Sequence, residues 1–366
     1  MIGRFMKAAF AAAALAASVP GFADEAALSQ PESDFEAFWA LYDQNYALFE
    51  IKHIDWDALY HIYRPQVTAD TGRDELFNIF TAMTRLLNDV HVTVEDQTSG
   101  RFSRSGGRSL GTGPFETGEF SIRLIESDYI EGELESRANG AMAFGWLPEG
   151  IGYLRIASFK YPDTSSGTMD QLMQRFVDAR GIIIDVRQNG GGSDRISEDI
   201  VSRFALHPHD YMRVSERVPD TDDGEGFNAA VTWSVPAKGS AWSGRPVAVL
   251  TDSRTISAAE NFVIAMKTLP HATIIGDTTA GVMADAHRMP AGEGWRFGVP
   301  VNVMRDIHGV SWEGIGIVPD YWIRNSAADL NDGEDRVLSF ALDFMQAASS
   351  VGPRTRVIRP PNREGG

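Results

Sequence analysis

The chain has 366 residues, 43% of them hydrophobic and 23% charged, enough to bury a substantial core in an ordinary globular composition. It contains no cysteine, which excludes thiol peptidases, thiolate metal sites, disulfide scaffolds and iron–sulfur centres. The 50 acidic residues against 33 basic ones leave a net charge of -17, which argues against a nucleic-acid partner, because a basic face is needed to neutralise phosphates.

Arg4 and Lys7 open the chain, followed by an apolar run from Ala8 to Val19 and then Pro20-Gly21-Phe22-Ala23. A charged start, a short apolar stretch and small residues before position 24 predict a signal peptide cleaved after Ala23, hence a periplasmic or secreted product. The run is too short for a permanent membrane anchor, and no later stretch approaches the ~20 apolar residues a span requires. Losing residues 1–23 removes two positive charges and no negative ones, so the mature chain is more acidic still.

After a linker over 24–33, residues 34–95 are expected to form a small helical cap. Phe35, Phe38, Trp39, Tyr42, Tyr46 and Phe49 recur at helical spacing over 34–50, as do Leu76, Phe80, Met83 and Leu87 over 74–88. Ser33 or Asp34 is placed to cap the first helix. Residues 96–114, rich in Ser, Gly and Arg, predict a flexible loop, with a lid over a cleft as its functional option.

From 115 to 350 the period changes. Phe120–Ile125, Ile151–Ile156, Ile182–Asp185, Val247–Thr251 and Thr273–Gly276 read as strands. They alternate with helical stretches near Asp170–Asp178, Asp194–Phe204 and Ser257–Thr268, which implies an α/β core around a largely buried sheet. Residues 207–243 read as a polar insertion at the rim, and the Pro-rich tail 351–366 as disordered.

Three places carry chemistry. The apolar strand Val247–Thr251 leads through a short turn to Ser257 at the start of a helix, where unpaired N–H groups and the positive dipole end suit an oxyanion. In that reading Ser257 is a nucleophile and the Ala258 N–H faces the attacked carbonyl; the plain alternative is that Ser257 only caps the helix. The strand Ile182–Asp185 runs into Gly190-Gly191-Gly192, whose backbone can approach a ligand closely; the spacing fits neither a dinucleotide fingerprint nor a P-loop. The third is Leu87-Asn88-Asp89-Val90-His91, where the helical segment meets the core; a lone histidine takes its weight only from its company.

Together these motifs resemble the tail-specific, or C-terminal processing, serine peptidases, in the branch similar to the tricorn core. The resemblance rests on Leu87-Asn-Asp89-Val-His91, Asp185-Val-Arg187-Gln-Asn189-Gly-Gly-Gly192, Thr255-Ile-Ser257-Ala-Ala-Glu260, Gly276-Asp-Thr-Thr-Ala-Gly281 and Glu313-Gly-Ile-Gly-Ile-Val-Pro-Asp320, in family order across residues 87–320. It implies a ββα spiral core of the crotonase and Clp-protease kind, an endopeptidase acting on peptides or proteins, and no cofactor or metal. It also implies Ser257 as nucleophile and an oxyanion hole from the Gly190, Gly191 and Ala258 N–H groups.

Relatives with a Ser–Lys dyad carry the lysine directly after the glycine matched here by Gly281, and this chain has Val282 there. Lys267 lies ten residues along the helix from Ser257, about 15 Å at ~1.5 Å per residue, and cannot reach it. The resemblance to the tricorn-like version instead implies His91 as general base and Glu313 as its orienting acid. That version often has a serine before the histidine, where this chain has Val90. A non-catalytic protein binding a hydrophobic ligand or peptide on the same fold is the rival reading.

Gly107-Arg-Ser109-Leu-Gly111 imitates a nucleophile elbow but lacks the flanking strand and helix. His207-Pro-His209-Asp210 has no second ligand cluster in sequence to complete a metal site, and Asp220–Asp223 reads as solvated surface. About 60 residues separate His91 from Ile151, too few for a PDZ module of ~80–100 residues, so tail specificity is not implied.

Overall fold

In the computed structural model of the chain, which describes residues 28–106, 120–160, 166–219, 226–239, 242 and 244–351, the apolar runs become a seven-stranded sheet. Its strand order is Tyr321–Trp322, Ala272–Gly276, Val247–Thr251, Gly181–Asp185, Ile151–Ile156, Met142–Leu147 and Glu131–Arg137. The first five strands run parallel and the last two are antiparallel. Every residue of the Ile151, Gly181 and Val247 strands is buried, because helices cover both faces and no side of the pleat meets water. Ile182, Ile184, Val247 and Val249 pack on one side against the helices Ser166–Arg175, Asp194–Ser202 and Ala258–Lys267. Ile183, Ala248 and Leu250, one residue out of phase, pack on the other against Val337, Leu338 and Ala341 of the helix Arg336–Val351.

The fold is thus α/β with a small N-terminal helical region, as expected, but that region does not close its own core. Its helices, Gln30–Asn45, Phe49–Lys52, Trp56–Tyr63 and Arg73–Leu86, bury Phe35, Phe38, Tyr42, Trp56 and Phe80 against Trp295, Phe297 and Val299. Those three residues belong to an antiparallel sheet ordered Ala286–Pro290, Trp295–Pro300, Thr93–Asp96, Arg101–Arg104. The Phe38 and Phe80 rings lie 4.3 Å apart, and Phe80 meets Trp295 edge-on at 5.0 Å.

Several local expectations are corrected. The first helix starts at Gln30 and is capped by Ser29, whose N–H and hydroxyl both donate to Glu32 Oε2 at 3.0 and 2.6 Å. Asp34 caps nothing: it is buried, accepting the Trp295 indole N–H at 2.9 Å and the Glu293 N–H at 2.8 Å. The helix ends at Asn45, because Tyr46 takes an extended conformation, and a new one begins at Phe49. Arg101–Arg104 is a strand paired with Thr93–Asp96 rather than loop. Ile122–Tyr129 is helical rather than extended, with Ser121 Oγ accepting the Leu124 N–H at 3.2 Å. The segment read as a polar insertion contains the strands His209–Glu216 and Val231–Val235, which join Asn302–Asp306 in a third sheet and bury Met212, Val214 and Val235.

The leader, Ser109, Asp220–Asp223 and the tail beyond Val351 lie outside the described residues. Among the described residues no helix is long and apolar enough to cross a membrane.

Candidate active site

Ser257 sits on a turn between the strand Val247–Thr251 and the helix Ala258–Lys267, with φ 60° and ψ -129°. That conformation is costly for a residue with a Cβ and persists only where its surroundings impose it. Here the Ser257 N–H donates to the Val282 carbonyl at 3.0 Å and to Glu260 Oε2 at 3.2 Å. The Ser257 carbonyl accepts the N–H groups of Glu260 and Asn261 at 2.7 and 3.2 Å. Ser257 and Glu260 form a reciprocal capping box, the serine side chain toward the Glu260 N–H and the Glu260 carboxylate on the Ser257 N–H, and Ser257 is partly exposed.

Glu260 is fully buried. Besides Ser257 it accepts the Thr279 hydroxyl at 2.6 Å and the Gly281 and Val282 N–H groups at 2.7 and 2.8 Å. Burial raises its carboxyl to about 6, against the pull of these hydrogen bonds. A glutamate three residues into a helix is a sequence signal for a cap, but its hold on residues 279–282 is visible only in three dimensions. Gly281, at φ 73°, passes so close to the following loop that a Cβ would lie 2.6 Å from the Gly316 nitrogen. Its carbonyl accepts the Gly314 N–H at 2.7 Å, next to Glu313.

The glycine loop is stitched to the Ser257 turn. The Thr255 hydroxyl donates to the Val186 carbonyl at 3.0 Å, Ile256 N–H to the Asn189 carbonyl at 2.9 Å, and Gln188 N–H to Asp252 Oδ1 at 2.9 Å. At the strand end, Arg187 is buried between Asp185 at 2.6 Å and Asp335 at 2.9 Å. A Cβ on Gly191 would lie 2.8 Å from Ser257 Cβ and 3.1 Å from the Ala258 nitrogen, so only glycine fits there. The Gly191 N–H, however, is already given to Asn189 Oδ1 at 2.9 Å. Of the three expected oxyanion donors, the Gly190 and Ala258 N–H groups have no hydrogen-bond partner among the described residues.

His91 lies on the turn between the helix Arg73–Leu86 and the strand Thr93–Asp96. Asp89 shapes that turn: its Oδ1 accepts the His91 N–H at 2.9 Å and its carbonyl the Val92 N–H at 3.0 Å. Val90 packs with Ile256, Val282 and Ala280 in a small apolar cluster, which sets the residue before His91 against the residue before Ser257. The two departures from the family pattern, Val90 and Val282, are thus neighbours. The lysine position of a dyad is filled by a side chain packed beside the histidine turn. Lys267 is engaged elsewhere, by Asp320 at 3.2 Å and the Val318 carbonyl at 3.1 Å. Burial holds the His91 imidazole below its usual pKa, aided by Arg104 and Lys52 and opposed by Asp89 and Asp285. Its Nδ1 is buried without a hydrogen-bond partner among the described residues.

Glu313 is buried, and its Oε2 accepts the Met283 and Ala284 N–H groups at 2.8 and 3.3 Å. Its Oε1 lies 3.2 Å from Lys52 Nζ, an ion pair outside hydrogen-bonding alignment. Among the described residues Glu313 makes no hydrogen bond to His91. Lys52 also stands 3.4 Å from Asp89 Oδ2, so one ammonium is shared by two buried carboxylates. Burial and Asp89 raise Glu313 to about 7, against the pull of Lys52. Sequence reading left Lys52 aside, since nothing in Phe49-Glu-Ile-Lys52 distinguishes it from a solvated helix end.

The profile described as peptidase family S41 matches residues 150–323, and that of the tricorn protease C1 domain matches residues 29–85. The carboxy-terminal processing protease CtpB of Bacillus subtilis (strain 168) is 27% identical over 146 residues, covering 39% of this chain and 28% of the relative. A carboxyl-terminal-processing protease of Synechocystis sp. is 25% identical over 255 residues, covering 66% of this chain and 53% of the relative. The chain thus spans about half or less of these curated relatives. A crystal structure of a candidate peptidase from Parabacteroides merdae ATCC 43184 superposes with a TM-score of 0.72 at 27% identity, covering 87% of this chain and 97% of that one.

Proposed function

The chain belongs to peptidase family S41, and from that premise we propose that it hydrolyses peptide bonds through an acyl-enzyme on Ser257. The observation that carries this reading is the positive-φ turn that holds the partly exposed Ser257 directly against Gly191, where an added Cβ would lie 2.8 Å from Ser257 Cβ; a helix cap takes ordinary extended backbone and does not need that geometry. Ser257 Oγ attacks the carbonyl carbon of the scissile bond while His91 takes its proton. The oxyanion is received by the Ala258 and Gly190 N–H groups. Collapse of the tetrahedral intermediate breaks the C–N bond, and His91 returns the proton to the leaving amine. Water then attacks the ester with His91 again as base, freeing Ser257 and a new carboxylate.

A base must be neutral to accept a proton, and the lowered pKa of His91 supports this at neutral pH. Glu313 acts as orienting acid through the ion pairs that join Lys52 to Asp89, whose other oxygen holds the His91 backbone. Substrates are peptides or proteins cut internally, outside the cytoplasm, to which the segment before residue 24 directs the chain.

A serine-reactive fluorophosphonate separates this reading from a ligand-binding one. Labelling of the purified chain that disappears in Ser257→Ala is expected. An unlabelled wild type rejects the acyl-enzyme.

A further inference from the structure

A groove of about 430 Å³ runs between the helix Arg73–Leu86 and the strand Arg101–Arg104, lined by Phe77, Thr81, Arg85, Arg101, Phe102 and Ser103. We propose that it docks an extended peptide segment carrying a carboxylate, leading substrate to the catalytic turn; the role as substrate guide rests on the peptidase reading above.

Two independent features support it. The first is backbone. Arg101–Arg104 is the outermost strand of its sheet, and among the described residues nothing pairs with its free edge. The Ser105 N–H donates to the Val92 carbonyl, and Val94 pairs with Ser103, so Phe102 and Arg104 turn their N–H and carbonyl groups outward. An open edge of this kind accepts a further strand through main-chain hydrogen bonds.

The second is charge. In a chain of net charge -17, Arg85 and Arg101 both line this groove. Arg101 is held by Asp74 at 2.6 Å and stacks over Phe77 at 4.0 Å. Arg85 is exposed and makes no ion pair among the described residues. Half-exposed Phe102 supplies an apolar wall beside them. Beyond Arg104 the chain returns toward the catalytic turn, since the Ser105 hydroxyl donates to the Thr84 carbonyl and Gly106 lies against Asn88. A peptide added to this edge therefore runs alongside the turn that carries His91.

The test uses full-length Ser257→Ala and the fluorescein-labelled peptide Thr-Val-Thr-Val-Thr-Val-Glu, read by fluorescence anisotropy. Saturable binding is expected, about tenfold weaker in Arg85→Ala, as loss of one charge-assisted hydrogen bond dictates. It should weaken also for a peptide methylated on alternate backbone nitrogens. Amidating the terminus and changing Glu to Gln, one at a time, show which carboxylate is recognised.

No saturable binding overturns the proposal, as does affinity unchanged by Arg85→Ala or by removing both carboxylates. Wild-type labelling by fluorophosphonate without peptide binding removes the groove alone. Peptide binding without labelling removes the peptidase reading and, with it, the role as substrate guide.

Discussion

The turn that carries Ser257 is closed by hydrogen bonds inside the sheet core, whereas the turn that carries His91 is held by apolar contact and one shared ammonium. Glu260 alone accepts four hydrogen bonds around the serine turn, all within buried structure. The histidine turn rests on Val90 against Ile256 and Val282, on Asp89, and on Lys52 from the helical region. The difference teaches where rigidity is spent. In the proposed mechanism the nucleophile and its oxyanion donors must be fixed to fractions of an ångström, while the base tolerates a looser mount. It also shows why the helical region matters to chemistry: it supplies the cation that neutralises Asp89 and Glu313.

The comparison can be broken from either side. The largest effect is expected from His91→Ala, which should slow acylation about 10²–10⁴-fold, the usual worth of a general base. In the wild type, the acid limb of the fluorophosphonate rate should have its midpoint below 6.5, because burial lowers the imidazole pKa and protonation removes the base. A midpoint above 6.5 contradicts the assignment.

On the serine side, Glu260→Ala leaves the Thr279 hydroxyl and the Gly281 and Val282 N–H groups buried without their acceptor, while the Ser257 N–H keeps the Val282 carbonyl. It should destabilise the fold by about 3–5 kcal/mol, measured by urea denaturation. A near-normal stability would mean that the turn is not held as argued.

On the histidine side, Lys52→Met leaves two buried carboxylates without their cation, at a cost of about 3 kcal/mol. Lys52 also helps to hold the His91 pKa down, so its removal moves the acid limb of activity to higher pH, and Lys52→Arg restores it. An unmoved limb separates Lys52 from the chemistry and leaves it a purely structural ion pair. The smallest effect is expected from Val90→Ser, which trades apolar contact for a hydroxyl at about 1 kcal/mol and changes acylation less than about threefold.

Much of the core was legible before any coordinates. Runs such as Ile182-Ile-Ile and Val247-Ala-Val-Leu are legible because strands covered on both faces read as near-continuous apolar runs, with polar residues such as Asp185 and Thr251 at their ends. Ser257 and Gly191 were legible too, since a serine at a strand-to-helix turn and a glycine run are local signals. Phe120–Ile125 misled because a short apolar run has no period long enough to separate strand from helix, and Ser121 capped it into a turn. Arg101–Arg104 misled because half of an edge strand faces water and looks like loop.

By itself the sequence determined the α/β core, the serine and its glycine partner, and the absence of every thiol chemistry. These follow from local composition, period and turn residues. Only the tertiary structure decided that the helices share their core with residues 284–303, since an aromatic stripe announces burial without naming what it packs against. It likewise decided that Gly191 spends its N–H on Asn189, and that Lys52 stands between Asp89 and Glu313. Those contacts join residues far apart in the chain, and no periodicity encodes them.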